Sequence, residues 1–425
     1  MGRLDFMLVS ESLLNFTREE DVVPGFRSDH SATTLSLIFQ TIQKSKTFWK
    51  FNNSLLTNKD YVNEIKNVIL KTKQQYAASP YNLDKIESIP NEVFQVTIDP
   101  QLFFEILLLE IRSKTVAFSA ALNKKEKDIV KSLENEIINL DKEDPVGNFE
   151  MIQGKQRELI KIREKRLEGT MIRARARWIE QGEKPSKYFC SLENRNFVSK
   201  RMVSLLKDNF LEVTESNSIK NEVGTFYTKL YSSREDEITN VDLNDILNEN
   251  TPKLTNEKAI SIEGQMTLPE ATLFLSKMKN NKSPGSSGFS VEFFKFFWND
   301  LKIFWLNSIN YGFVKGELSV TQKEGVIVCL PNGDKNKKFL KNWRPISLLN
   351  VSYKIASGVI ASRIKSVLPS IINVNQSGFM SNRSTADCLR LIYDILYSSL
   401  KLKKPGILLL IDFEKAFDSV AWSFI

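Results

Sequence analysis

Histidine, cysteine and long apolar runs are all scarce in this chain. One histidine, His30, and three scattered cysteines, Cys190, Cys329 and Cys388, serve 425 residues. The cysteines lack metal-ligand spacing. Their odd number gives no disulfide framework, so a reducing compartment is expected. No stretch approaches the ~18 to 20 apolar residues of a membrane span. The start, Met1-Gly-Arg-Leu-Asp-Phe6, has no signal-peptide core. No membrane partner is therefore expected, and the nucleus and cytoplasm are the expected location.

What is present is length, apolar content and positive charge. At 425 residues and 48.8 kDa, two or three domains are expected. A hydrophobic content of 42% supports real cores, and a mean hydropathy of -0.25 suits a water-exposed surface. The net charge of +8 is concentrated: Lys155 to Arg201 carries +8 and Gly333 to Lys365 carries +7, leaving the remainder acidic. Two basic segments suit a polyanion such as nucleic acid, although runs of charge also serve as solvated helix faces.

Residues 1–40 read as a small β-type piece, with strands at Leu4–Val9 and Thr33–Phe39 around a Pro24-Gly25 turn. Residues 41–260 read mainly as helices. Ile129, Val130, Leu133, Ile137 and Leu140 recur at three- and four-residue steps, and Asp144-Pro145 with Gly147 ends that helix. A basic helix follows, then a loose acidic, Asn- and Ser-rich stretch. From Thr267 the pattern changes. Thr267-Leu-Pro-Glu270 has capping-box spacing. After it come a turn at Ser283–Gly288, an aromatic helix at Phe289–Trp298, a strand at Val326–Leu330 and a basic loop at Asp334–Lys341. Helices are expected at Leu348–Val367 and Thr385–Leu400.

The chemistry centres on Gly406-Ile-Leu-Leu-Leu-Ile411 followed by Asp412. Five apolar residues predict a buried strand, and an Asp at its exit is rigid and reaches solvent. Nucleotidyl transfer needs such carboxylates to hold two Mg²⁺ ions about 3.5–4 Å apart. An Asp here also suits a turn or a helix cap.

The neighbours of Asp412 carry a resemblance. Asp412, Phe417 and Asp418 look like motif A of reverse transcriptases. Asn342-Trp-Arg-Pro-Ile-Ser-Leu-Leu349 and Gln376-Ser-Gly-Phe379 precede it in the family's order. From Thr267 onward the chain resembles the fingers and palm of LINE-type non-LTR retrotransposon reverse transcriptases. The resemblance implies that Asp412 is a catalytic metal ligand and that the Phe413 carbonyl stands beside the metal and the nucleotide. Phe417 would be a steric gate that excludes a 2′-hydroxyl. Arg344, held extended before a Pro, would bind the incoming nucleotide with Lys337 and Lys338. Gln376 and Gly378 would lie near the template.

Two further signatures resemble the same elements. Arg173-Ala-Arg-Ala-Arg-Trp178 implies RNA binding through Arg173, Arg177 and Trp178, or else a helix hairpin with inward aromatics. Arg3-Leu-Asp-Phe6 with Ser28-Asp-His30 resembles the last motifs of an apurinic-type endonuclease. His30 would act on water or phosphate there, with Asp5 and Asp29 as partners. The rest of that domain is missing, so no nuclease activity is expected.

The fold implied is α+β and largely helical, in three parts. Residues 1–40 are the C-terminal remnant of an endonuclease/exonuclease/phosphatase-like domain. Residues 41–260 are a basic, helical RNA-binding extension. Residues 261–425 are the fingers and partial palm of a right-hand polymerase, an incomplete reverse transcriptase. The whole enzyme would copy element RNA onto a DNA primer at target DNA, using Mg²⁺ and deoxynucleoside triphosphates. The family's Asp-Asp motif and thumb are absent from these residues, so this stretch is expected not to polymerise by itself. Ser286-Ser287, Asn332 and Asn382 stand where the family usually has an acid, a Lys and a Gly. A nucleic-acid-binding remnant without chemistry, a protein-binding scaffold and an intron-maturase-like enzyme are the alternatives.

Overall fold

The computed structural model describes residues 8–23, 32–37, 48–78, 94–144, 146–174, 202–207, 210–232, 251–333, 335–412 and 420. They are mostly helical, with three small two-stranded sheets. In chain order the main elements are β1 (Thr17–Val23), β2 (Ala32–Leu37), α1 (Lys59–Tyr76), α2 (Pro100–Glu143) and α3 (Phe149–Ala174). There follow β3 (Leu205–Leu206), β4 (Glu212–Val213), α4 (Ser216–Tyr231), α5 (Asn256–Ile262), α6 (Leu268–Lys277), α7 (Val291–Phe296) and α8 (Trp298–Lys315). The series ends with β5 (Gly325–Pro331), β6 (Trp343–Leu349), α9 (Val351–Val367) and α10 (Thr385–Leu402). None of the described helices is long and apolar enough to cross a membrane.

Two compact units result: Met1–Phe48 with Ile111–Arg201, and Trp49–Glu110 with Met202–Ile425. In the first, β1 and β2 pair antiparallel, with Val23 opposite Ala32. Leu8 and Val9, at the end of the expected first strand, have no regular structure, and Leu8 is fully exposed. The expected helical stripe is present from Val130 on, whereas Ile129 is 42% exposed. Ile137 of α2 packs with Ile152 and Leu159 of α3, and Val130 and Leu140 close the seam. The Arg163 Nη2 donates to Glu134 Oε1 at 2.8 Å, and Lys155 pairs with Glu136. Asp144 Oδ1 turns the chain between the helices by accepting from the Val146 and Gly147 N–H groups at 3.2 and 3.1 Å.

The second unit is built on aromatic rings. Phe289 and Phe293 meet at 4.4 Å, Phe51 joins Phe293 at 5.1 Å, and Phe103 meets Phe304 at 5.2 Å. Each such ring, fully buried, contributes about 1.5–3 kcal/mol. Two buried indole donors find partners, as burial requires: Trp305 Nε1 donates to the Ser352 carbonyl at 3.0 Å, and Trp298 Nε1 to Thr272 Oγ1 at 2.8 Å. Gly358 has a packing role inside α9, because a Cβ there would overlap the Phe274 ring at 1.9 Å. The expected capping group is present at α6, where Glu270 Oε2 accepts from the Thr267 N–H at 3.0 Å.

Three local expectations change. Residues 343–349 form a strand, and the helix expected from Leu348 begins at Val351. Pro345 cannot donate a ladder hydrogen bond, but an outer strand tolerates it. A helix, α4, stands inside the stretch expected to be loose. Most consequential, Gly406–Ile411 is not a buried strand. Residues 404–412 have no regular structure, and Ile407, Leu409, Leu410 and Ile411 are 73–97% exposed. A strand needs a neighbour to take its backbone hydrogen bonds, and none of the described strands pairs with this segment.

Candidate functional site

The β5–β6 hairpin is the best-defined part of the candidate site. Its register runs from Gly325 opposite Leu349 to Pro331 opposite Trp343 and puts Arg344 opposite Leu330. Arg344 is exposed, on a strand kept extended by Pro345. The connection between the strands is the basic loop. Lys335, Lys337, Lys338 and Lys341 are all exposed on it.

The loop is anchored from both ends. Asn332 N–H donates to the Asn342 carbonyl at 2.9 Å, and Asn342 Nδ2 to the Asn336 carbonyl at 2.8 Å. Trp343 lies in a core with Leu205, Val213, Ile219 and Leu340. Its Nε1 donates to the Lys337 carbonyl at 2.8 Å. The Leu206 N–H of β3 donates to the Lys338 carbonyl at 2.8 Å. Lys338 Nζ lies 2.8 Å from Glu212 Oε1 on β4. Hydrogen bonding from Lys338, with a smaller contribution from Ser204, lowers the Glu212 carboxyl from its usual range. One of the two lysines expected at a triphosphate is therefore ion-paired already. The sequence gave no sign of Glu212, which lies 126 residues from its partner.

The base of the hairpin is held by Asn350, a buried residue that begins α9. Its Oδ1 accepts from the Ser287 N–H at 2.9 Å. Its Nδ2 donates to the Thr321 carbonyl at 2.6 Å and to Ser286 Oγ at 3.2 Å. Ser286 in turn donates to Glu324 Oε2 at 2.7 Å. The Ser283–Gly288 turn, where an acid was missing, is thus tied to the β6–α9 junction by neutral groups.

Gln376 and Gly378 lie exposed on a second turn. Arg383 organises it by donating to the carbonyls of Asn373, Gln376 and Ile372, at 2.8 Å for Gln376 and 3.2 Å for Ile372. Asn382 has φ +61°, a left-handed backbone that Gly adopts freely and that Asn tolerates better than other residues. Asn therefore suits a position where Gly was expected.

Asp412 is exposed at the end of the irregular 404–412 segment. Among the described residues, no three His, Cys, Asp or Glu side chains converge as metal ligands. Mg²⁺ commonly takes one or two carboxylates and completes its octahedron with water and phosphate oxygens. An exposed carboxylate such as Asp412 fits one of those positions and does not make a site by itself. Lys337, Lys338 and Arg344 thus share one hairpin, Gln376 and Gly378 share one turn, and Asp412 belongs to neither. Phe413, Phe417, Arg177, Trp178, Asp5, Asp29 and His30 lie outside the described residues. The backbone at Arg173 is helical, within α3.

Comparison with known proteins bears on the loop and second strand of this hairpin. Residues 333–425 match a family model described as reverse transcriptase (RNA-dependent DNA polymerase). Nearly the whole chain, 99% of it, is 26% identical to the transposon TX1 uncharacterized 149 kDa protein of Xenopus laevis, and covers 31% of that protein. A shorter part, 158 residues or 36% of the chain, is 27% identical to a putative 115 kDa protein in the type-1 retrotransposable element R1DM of Drosophila melanogaster. It covers 15% of that relative. The chain therefore spans about a third or less of the curated relatives it matches.

Proposed function

We propose, for a chain whose residues 333–425 are a reverse transcriptase segment of the non-LTR retrotransposon kind, that these residues help bind an RNA template and an incoming deoxynucleotide for RNA-directed DNA synthesis. The observation that carries this reading is the anchored basic loop and second strand of the hairpin, which lie inside the matched segment. Arg344 and Lys337 project from it into solvent, on a backbone fixed by Trp343 and Asn350. A guanidinium there forks to phosphate oxygens, and Lys337 adds a point charge. On this reading the hairpin belongs to the fingers.

The finer assignments form one scheme. Residues 261–425 are fingers and the first part of a palm. Residues 41–260 carry RNA-binding surface, including Arg173, Arg177 and Trp178. Residues 1–40, with Asp5, Asp29 and His30, derive from an endonuclease-like domain. Gln376 and Gly378 lie beside the template. Asp412, with the Phe413 carbonyl, supplies ligands to Mg²⁺, which when bound would stabilise charge on the transferring phosphate. Phe417 excludes a 2′-hydroxyl and so favours deoxynucleotides. DNA, as primer and target, is the remaining partner.

Photocrosslinking tests this reading. The chain is incubated with Mg²⁺, an RNA template annealed to a DNA primer and a photoreactive dTTP. Labelling should require the template and fall at least fivefold in Arg344→Ala. Equal labelling of parent and variant would remove Arg344 from the nucleotide site. Template-independent labelling would sink the polymerase reading.

A further inference from the structure

The geometry points to a single-stranded RNA-binding surface made by Phe210 and the lysines of the β5–β6 loop. It deepens the polymerase reading, and rests on it for the choice of RNA as ligand. Phe210 sits in the tight turn between β3 and β4. The Lys207 N–H donates to the Leu211 carbonyl at 3.0 Å, and the Phe210 N–H to the Lys207 carbonyl at 2.9 Å. The turn puts Phe210 at φ +60° and leaves it 76% exposed. Left-handed backbone is unfavourable for a bulky L-residue, and Gly or Asn would escape that cost. Burial of the ring does not offset it. A costly backbone that presents an aromatic ring to water is the kind of outlier from which function is inferred.

The surroundings indicate the ligand. The β3–β4 hairpin is joined to the basic loop through Leu206 N–H and the Lys338 carbonyl, and Lys338 reaches Glu212, two residues past Phe210. Lys335, Lys337 and Lys341 extend the exposed positive charge along the same loop. Glu212 pairs with Lys338. An exposed ring on a hairpin bonded to a lysine-bearing loop matches how single strands are held: bases stack on the ring while cations follow the phosphates. A duplex keeps its base faces covered and could not use the ring. Val203 and Leu211 are also exposed near the turn, at 65% and 59%, so an apolar protein partner is the competing outcome.

The test uses the whole chain, a fluorescein-labelled U20 RNA followed by anisotropy, and thermal unfolding. Phe210→Gly should weaken RNA binding about 5- to 100-fold, the range of one lost base stack. It should also raise Tm by about 2–4 °C, because the left-handed cost disappears. A merely structural ring would move both readouts in the same direction. Phe210→Trp should keep the affinity and Phe210→Leu should not. Lys335→Gln with Lys341→Gln should flatten the dependence of log K on log salt by about 1.4, the value for two phosphate contacts on a single strand. Unchanged RNA affinity in Phe210→Gly overturns the inference, as does full affinity in Phe210→Leu, the result expected of an apolar docking surface. Equal, Phe210-dependent binding of dT20 overturns the assignment to RNA. Failure here with intact Arg344-dependent crosslinking leaves the polymerase reading standing, so the two failures are distinguishable.

Discussion

Arg363 and Glu270, 93 residues apart, meet in a two-point ion pair. Nε lies 2.7 Å from Oε1, and Nη2 lies 2.8 Å from Oε2. The same guanidinium donates to the Gly264 and Gln265 carbonyls, each at 2.8 Å. Glu270 also accepts from the Thr267 hydroxyl at 2.7 Å. One side chain on α9 therefore fixes the start of α6 and the segment before it.

This pair predicts an acid-sensitive stability. Hydrogen bonding from Arg363 is the largest cause, with Thr267 adding to it, that lowers the Glu270 carboxyl from 4.5 to about 2, although partial burial opposes the shift. A depressed carboxyl stabilises the fold fully above its unfolded value. Its contribution should therefore be complete above about pH 4.5 and lost as pH falls toward 2. Arg363→Ala should cost ~1–2 kcal/mol at pH 7, an amount reduced for solvent screening at this partly exposed pair. It should also flatten the acid limb of a denaturation series. An unchanged acid limb in the variant would place the acid sensitivity elsewhere.

Asn350 should tolerate no substitute. Asn350→Ala removes the acceptor for Ser287 and the donors to Thr321 and Ser286. At a buried site this should cost about 2–4 kcal/mol in urea unfolding. Asn350→Asp keeps the acceptor but turns a carboxylate oxygen toward the Thr321 carbonyl, and should be at least as harmful.

Gly288→Ala should destabilise by more than ~2 kcal/mol. Its φ is +82°, and a Cβ would lie 2.4 Å from the Trp49 carbonyl oxygen. Backbone cannot move aside as a flexible side chain can. The displaced contact is the one in which Phe51 N–H bonds to the Gly288 carbonyl at 2.9 Å. Quenching of Trp49 fluorescence by acrylamide should therefore increase.

Arg383→Ala should act locally. Losing bonds to the Ile372, Asn373 and Gln376 carbonyls should speed amide hydrogen exchange across residues 372–383 and leave α8 protected. Faster exchange throughout α8 would show that Arg383 supports the whole unit.

Much of the local structure could be read before any coordinates. Val130, Ile137 and Leu140 of the stripe became the α2–α3 seam, and Thr267 and Glu270 began a helix as their spacing required. Short-range rules suffice there, because the interacting groups lie within one or two turns. Residues 343–349 were only partly legible. Pro345 signalled extended backbone, but pairing with β5 depends on a neighbour. The segment before Asp412 departs from the expected strand for the same reason. An apolar run has the composition of a buried strand, but burial is supplied by whatever covers it.

By itself, then, the amino-acid order determined the apolar stripe that packs α2, the helix start at Thr267 and which motif surrounds Asp412. Each depends on spacing along the chain. Tertiary structure decided that Lys338 is neutralised by Glu212, that Asn350 carries the Ser286–Ser287 turn, and that Leu206 of β3 bonds to the basic loop at Lys338. Those relations join residues 63 to 132 positions apart. No periodicity encodes them: the two at the basic loop come with the packing of Leu205, Val213, Leu340 and Trp343 into one core, and the third is made by the hydrogen bonds of Asn350.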